Sequence, residues 1–261
     1  MNKTKYKHIY GPLYSWRLGV SLGVDLISGI EGKVCSFDCI YCQIRKTSKV
    51  STRRKVFVPT AAIVKEIKSM PSLRVDYITF AGMGEPALAK NLGEVIRAVK
   101  KLRKEKTVVL TNASLLYRKD VRDDLSEADF VIAKLDASSQ CLFSVMNRPA
   151  KGLRFDKTLR AIKAFRNKYK GKFALQVMFT PENKNAALEI ARIAGEIKPD
   201  EVQLNTPLRL CPIKPLSFRE MGKIKKCFKG LNIISVYDKK KKQIRAFNEK
   251  ETLKRRGRQE K

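Results

Sequence analysis

Short apolar runs alternate with longer amphipathic stretches along most of the chain. Val20-Ser21-Leu22-Gly23-Val24 alternates apolar and small residues and is rich in aliphatic and β-branched side chains, which predicts a first strand. Residues 75–81, 107–111, 130–136, 173–179 and 201–205 predict five more, and 233–237 a short last one. Between them, apolar positions recur at helical spacing over 59–67, with Pro59 in the first turn, and over 92–102, 120–125, 155–169, 185–197 and 218–227. The stretch before the first strand, with Gly11, Pro12 and Gly19, reads as irregular. Its Arg17 is either a phosphate or carboxylate contact or a solvated arginine.

Strand and helix that alternate at short spacing require parallel strands joined by right-handed crossovers. The outcome is a doubly wound sheet or a partial barrel, and in both the ligand sits at the C-terminal ends of the strands. Residues 35–42, residues 82–86, Asn112, Asp136, Met178 and Asn205 all fall at those ends. Residues 1–237 read as one domain. From Asp238 the apolar content drops and basic runs appear at 239–242 and 254–258, so 238–261 is expected to be a mobile basic tail.

The chain has 261 residues, 43% of them hydrophobic, enough for a sizeable core and too many for a disordered chain. No run is long enough to span a bilayer, and the basic N-terminus leads into no signal-peptide core. A cytoplasmic location is expected, which also suits six cysteines kept reduced. The formal net charge is +31. Such an excess attracts polyanions, RNA above all, unless it only decorates the surface of a lysine-rich protein.

Chemistry concentrates in Cys35-Ser36-Phe37-Asp38-Cys39-Ile40-Tyr41-Cys42. Three thiolates on one short loop can hold three corners of a cubane iron–sulfur cluster, and four are needed for full protein ligation. The fourth iron is left open to bind a molecule and deliver an electron to it. A structural zinc site is the competing reading. It needs a fourth ligand, and the chain has one histidine, His8, and no second close cysteine pair. Cys141, Cys211 and Cys227 are widely spaced and read as small packed hydrophobes rather than a second cluster site.

The cysteine triplet after a first strand, with Gly82-Met83-Gly84-Glu85-Pro86 after the second, resembles the radical S-adenosylmethionine superfamily. Within it, Gly11-Pro12, Arg17-Leu18-Gly19, Ser21-Leu22-Gly23, Thr111-Asn112 and residues 203–207 look like short members of the iron–sulfur oxidoreductase branch related to wyosine-forming tRNA enzymes. Those relatives carry extra N-terminal cysteines, and no cysteine precedes Cys35 here.

The resemblance implies an α/β fold, a partial (β/α)6 barrel, and two cofactors: a [4Fe-4S] cluster and S-adenosylmethionine. It implies that Cys35, Cys39 and Cys42 ligate the cluster, that backbone beside Tyr41 meets the adenine, and that Gly82, Gly84 and Glu85 hold the methionine ammonium. Close backbone approach to the cofactor is the expected reason for the glycines. Asp136 is a candidate for the ribose hydroxyls, although Lys134 stands where relatives carry a small polar residue. Asn112, Gln176, Met178 and Asn205 are further rim candidates. The implied activity is reductive cleavage of the sulfonium to a 5′-deoxyadenosyl radical that abstracts hydrogen from a substrate. Three readings stand: an enzyme that acts on RNA such as tRNA, an enzyme that acts on a metabolite or peptide, and a non-enzymatic nucleic-acid-binding metal protein. Both enzyme readings need an external electron donor such as ferredoxin or flavodoxin.

Overall fold

In the computed structural model, residues 6–28, 32–44, 49–239 and 244–256 are described. The strands are β1 (Ile9–Ser15), β2 (Gly19–Val24), β3 (Val34–Cys35), β4 (Lys49–Val50), β5 (Tyr77–Phe80), β6 (Lys106–Thr111), β7 (Phe130–Lys134), β8 (Lys172–Met178), β9 (Glu201–Asn205) and β10 (Ile233–Ser235). The helices are α1 (Thr60–Lys68), α2 (Leu92–Leu102), α3 (Lys119–Ser126), α4 (Gln140–Asn147), α5 (Phe155–Lys168), α6 (Ala187–Ile197), α7 (Phe218–Cys227) and α8 (Glu249–Arg256).

Eight strands form one sheet in the order β1-β2-β5-β6-β7-β8-β9-β10, curled into a half-barrel. Every neighbouring pair is parallel except β1 with β2. Side chains alternate across the sheet with the two-residue period of a pleated strand. Leu22, Val24, Ile78, Phe80, Val109, Val131, Ala133, Leu175, Val177, Val202 and Leu204 face the helices and belong to the main core. The other face is closed at its base by a small apolar plug of Leu18, Val108, Phe130, Ile132 and Ala174. Above the plug, toward the C-terminal strand ends, that face turns polar. The helices supply the covering layer with buried stripes such as Val95, Ile96 and Val99 of α2 and Ile190, Ile193 and Ala194 of α6.

Three expectations change. The segment read as irregular is β1, an antiparallel edge strand. Its pairing shifts register between Tyr10 and Leu13, across the Gly11-Pro12 step that hides the strand pattern. A helix, α4, lies where none was expected, started by Ser139, whose hydroxyl accepts from the Leu142 N–H. The tail expected to be mobile carries α8, packed against β1. Residues 240–243 and 257–261 of that tail lie outside the described residues.

A buried arginine anchors α8, alongside the Gly11 N–H, which donates to Thr252 Oγ1 at 2.9 Å. Arg255 Nε donates to Asp25 Oδ2 at 2.7 Å, its Nη2 to the Lys7 carbonyl at 2.7 Å, and Nη1 reaches the Glu251 carboxylate. The Arg255 side chain is 0% exposed and Asp25 is 1% exposed. A buried pair of this kind is costly to break from one side, because the survivor keeps an uncompensated charge. Arg255→Met should therefore lower the unfolding free energy by about 3–5 kcal/mol. Urea denaturation followed by circular dichroism checks this, and a wild-type midpoint would show that α8 adds nothing to the fold.

Candidate functional site

At the C-terminal ends of the strands the sheet opens into a cavity of about 500 Å³. Cys35, Cys39 and Cys42 line it together with Tyr41, Gly82, Gly84, Glu85 and Asn112. Gln176, Met178 and Asn205 line it as well, from β8 and β9. The expected rim is thus one continuous surface, with a single exception, Asp136.

Cys35 ends β3, and its loop is laced to the loop after β5. Val34 N–H donates to the Met83 carbonyl at 3.3 Å, and Glu85 N–H donates to the Val34 carbonyl at 3.2 Å. The two glycines of that second loop are required by this packing. A methyl on Gly84 would lie 1.7 Å from the Val34 carbonyl oxygen, and one on Gly82 would lie 2.1 Å from Asp25 Cγ. Close approach of the cysteine loop and of Asp25 by itself requires glycine at both positions. Asp25 also accepts from the Met83 N–H at 3.1 Å, which pins the same loop from below.

Glu85 is 2% exposed, and its carboxylate accepts from Ala87 N–H at 3.0 Å, Thr111 Oγ1 at 2.7 Å and Asn112 N–H at 2.6 Å. Burial raises its pKa, against the pull of those three bonds. The carboxylate is thus first a clasp between the β5 and β6 loops. Its remaining acceptor capacity faces the cavity.

Asp136 has a different job from the ribose contact expected of it. Its side chain is 0% exposed and does not line the cavity. Oδ1 accepts from Met178 N–H at 2.8 Å, and Oδ2 accepts from Asn147 Nδ2 at 2.9 Å and from the Tyr41 hydroxyl. Asp136 therefore fixes Tyr41 from behind. The cavity wall above it is taken by Lys134, whose Nζ lies 3.2 Å from the Tyr41 hydroxyl and 4.9 Å from the ring centroid.

The thiols sit among donors. Lys33 Nζ is 3.0 Å from Cys42 Sγ, Asn112 Nδ2 is 3.5 Å from Cys35 Sγ, and Asn147 Nδ2 is 3.6 Å from Cys39 Sγ. Burial raises the pKa of Cys35 to about 12 and raises that of Cys39. Burial opposes the charges of Lys33 and Lys134, yet nearby thiols hold both above the ordinary lysine value, joined for Lys134 by Asp136. Such thiols ionise when a metal displaces the proton, and lysines and amide N–H groups beside the sulfurs suit the resulting negative charge. The donor set fits a thiolate-bound iron–sulfur cluster. Among the described residues, no group of three or more His, Cys, Asp or Glu side chains forms a single-ion site. Lys33 and Asn147 escaped sequence reasoning, and Lys134 was noted there only as a departure from the relatives' small polar residue. Asn147 lies 106 residues from Tyr41, and only the fold joins them.

The other cysteines are dispersed. Cys141 is exposed on α4, Cys227 packs against the main core, and Cys211 packs beside Tyr41, Met146 and Met178. His8 lies apart from the cavity, with Nδ1 2.7 Å from Ser28 Oγ. Among the described residues no helix is long and apolar enough to cross a membrane.

Comparison with known proteins places these features in context. Residues 32–194 match the family model described as the Radical SAM superfamily. A UPF0026 protein of Synechocystis sp. is 41% identical over 212 residues, which are 81% of this chain and 79% of that protein. Among solved structures, Streptococcus suis SuiB bound to precursor peptide SuiA superposes with a TM-score of 0.62 at 18% identity, over 78% of this chain. The chain spans about half of SuiB, 47% of its length. TYW1 with a lysine-pyruvate adduct bound superposes with a TM-score of 0.61 at 15% identity, over 88% of this chain and 78% of that one.

The packing account of Gly84 is open to test. Gly84→Ala must push the Val34 carbonyl away, and overpacking of this kind costs about 1–3 kcal/mol. Gly195→Ala, on α6 with nothing within 4 Å of the added methyl, should be neutral or stabilising by up to about 1 kcal/mol. Paired thermal melts would refute the account if the two variants behaved alike.

Proposed function

This chain belongs to the radical SAM superfamily, whose members bind a [4Fe-4S] cluster and S-adenosylmethionine, and we propose that it is a radical enzyme acting on RNA. The observation that carries the first part is the presence of three thiols, Cys35 buried and Cys39 and Cys42 half-buried, in the lining of the same cavity as Gly82, Gly84 and Glu85. Cys35, Cys39 and Cys42 hold the cluster. A cluster held there would supply, on one-electron reduction, the reductive cleavage of S-adenosylmethionine that yields a hydrogen-abstracting radical.

The chain's own groups prepare that event. Lys33 and Lys134 offset the thiolate charge, and Asn112 and Asn147 orient two of the sulfurs through N–H···S bonds. The Gly82–Glu85 loop receives the methionine ammonium, with the free acceptor capacity of Glu85 turned toward it. Tyr41, immobilised by Asp136, Asn147 and Lys134, presents the loop backbone to the adenine. The apolar plug at the base and the half-barrel walls keep water and stray hydrogen donors from the reacting atoms. The electron comes from an external donor such as ferredoxin or flavodoxin.

Two features support RNA as substrate. One is the net charge of +31. The other is a second cavity of about 650 Å³ beside α7, lined by Phe218, Tyr237, Lys225, Lys226 and Lys229. Phe218 is 71% exposed and meets the Tyr237 ring edge-on at 5.9 Å. An exposed aromatic among lysines suits an unstacked base with a phosphate on either side.

Anaerobically reconstituted protein should release 5′-deoxyadenosine when dithionite and S-adenosylmethionine are added, and Cys39→Ala should release none while it keeps its circular dichroism spectrum. Bulk tRNA should accelerate release at about 50 mM salt and lose that effect by about 500 mM, as counterion release requires. If no salt concentration gives acceleration, the RNA assignment falls, and a burst dependent on metabolite or peptide fractions selects the second reading. Glu85→Gln should retain iron and weaken S-adenosylmethionine binding by about 1.5–3 kcal/mol, the scale of one charge-assisted contact. Calorimetric titration of the reconstituted variant reads this directly, and unchanged affinity would confine Glu85 to its clasp.

A further inference from the structure

The cavity carries three arginines that the cluster chemistry does not use. Arg17 enters from the turn between β1 and β2, Arg209 from the loop after β9, and Arg256 from the end of α8. All three line the same cavity as the cysteines. None of the three pairs with a carboxylate among the described residues.

Their hydrogen-bonding capacity is mostly open. Arg17 Nε is buried without a partner, and the guanidinium lies over the Trp16 ring at 4.9 Å, which sets its plane but supplies no acceptor. Arg209 Nη1 donates to the Arg256 carbonyl at 3.0 Å. That bond couples the two chain segments and leaves the rest of the Arg209 fork free. The carboxylate that Arg17 feels, Glu201, is already held by Lys172 at 3.0 Å and by Gln203 Nε2 at 2.8 Å.

The electrostatics agree with that geometry. Burial, then repulsion by Arg256 and Arg209, brings Arg17 down to about 9. Burial, then Arg256, brings Arg209 down to about 10, and burial lowers Arg256. Half-buried like charges with unused donors favour an anion that completes them. S-adenosylmethionine does not neutralise three guanidiniums, since its carboxylate is offset by its own ammonium and sulfonium. The thiolates have Lys33 and Lys134. A dianionic or tetrahedral oxyanion is what three forks can share.

We propose that Arg17, Arg209 and Arg256 form a receptor for a phosphate group of the substrate, within the cavity that the cysteines also line. This rests on the reading of the cavity as a radical SAM site and adds the chemical class of what it takes. The phosphate belongs either to the monoester of a small molecule or to the diester backbone of an RNA strand.

The test is a calorimetric titration of the reconstituted, S-adenosylmethionine-loaded holoprotein with inorganic phosphate, at low ionic strength. Wild type should bind it, and Arg17→Gln and Arg209→Gln should each weaken binding at least about tenfold with unchanged iron content. The second variant, on an exposed-side loop, keeps the test valid if the first fails to fold. Displacement by a nucleoside 5′-monophosphate but not by a short RNA marks a monoester, and the reverse marks a strand; either result supports the receptor. Two outcomes overturn it. One is no phosphate binding to wild type below about 10 mM. The other is an equal loss of S-adenosylmethionine affinity in both variants, which would assign the arginines to the cofactor carboxylate. Release of 5′-deoxyadenosine, on which the radical SAM reading stands, is not read in this titration, so the two ideas fail separately.

Discussion

One buried carboxylate ties the parts of this protein together. Asp25 follows directly on β2, and its side chain accepts from Ile27 N–H at 2.9 Å, Met83 N–H at 3.1 Å and Arg255 Nε at 2.7 Å. Through those three bonds it joins the chain leading into the cysteine loop, the Gly82–Glu85 loop and the C-terminal helix. Gly82 must be glycine because Asp25 occupies the space of its side chain. A buried carboxylate is stable only when its acceptors are filled and its charge is matched. The geometry of the site and the docking of the chain's end are therefore one condition, met or lost together.

The same rule explains the other buried acids. Glu85 and Asp136 both stand where sequence reasoning places cofactor contacts, and each satisfies backbone N–H groups first. Glu85 closes the β5 and β6 loops on each other, while Asp136 holds Met178 and Tyr41. In a low-dielectric pocket a fixed carboxylate that already bears hydrogen bonds keeps its place without further reorganisation. The cavity wall is thus built from loops whose positions are set beforehand by acids set into the wall, which is what a site handling a reactive radical requires.

Much of this was legible in the chain. The parallel strands declare themselves because both of their faces are buried, so apolar runs such as Val131–Ala133 and Phe173–Leu175 stand out. The cysteine spacing and the loop after β5 declare themselves because they are local. What was hidden depends on contacts across long sequence separation. Arg255 reads as one more charge in a basic tail until Asp25, 230 residues earlier, is placed under it. Lys33 reads as an ordinary lysine, and Lys134 only as a departure beside Asp136, until the fold brings thiols to them. The strand β1 was masked by a Gly-Pro step within it, and α4 by its shortness. The need for close approach at the glycines was legible, whereas the Val34 carbonyl and Asp25 as crowding neighbours were not. Sequence carries the need for a missing side chain, but the identity of the crowding group is tertiary information.

The distribution of charge within the cavity follows from this architecture. Its acids are engaged with backbone and neighbouring side chains, Asp136 behind the wall and Glu85 within it. Its cations line the inside, Lys33 and Lys134 by the sulfurs, with Arg17, Arg209 and Arg256 in the same cavity. The lysines face sulfurs that carry negative charge once ligated, so they have their counterpart within the protein and its metal. The arginines have none. Coulomb interaction between partly buried charges is screened less than between exposed ones, because salt and water reach them poorly. The grouping of the arginines is a property of the fold, since the β1–β2 turn, the loop after β9 and the last turn of α8 each bring one to the same cavity. Arg256 follows Arg255 directly, so the docking of α8 by Asp25 fixes the segment that carries a cavity arginine as well as contributing to stability.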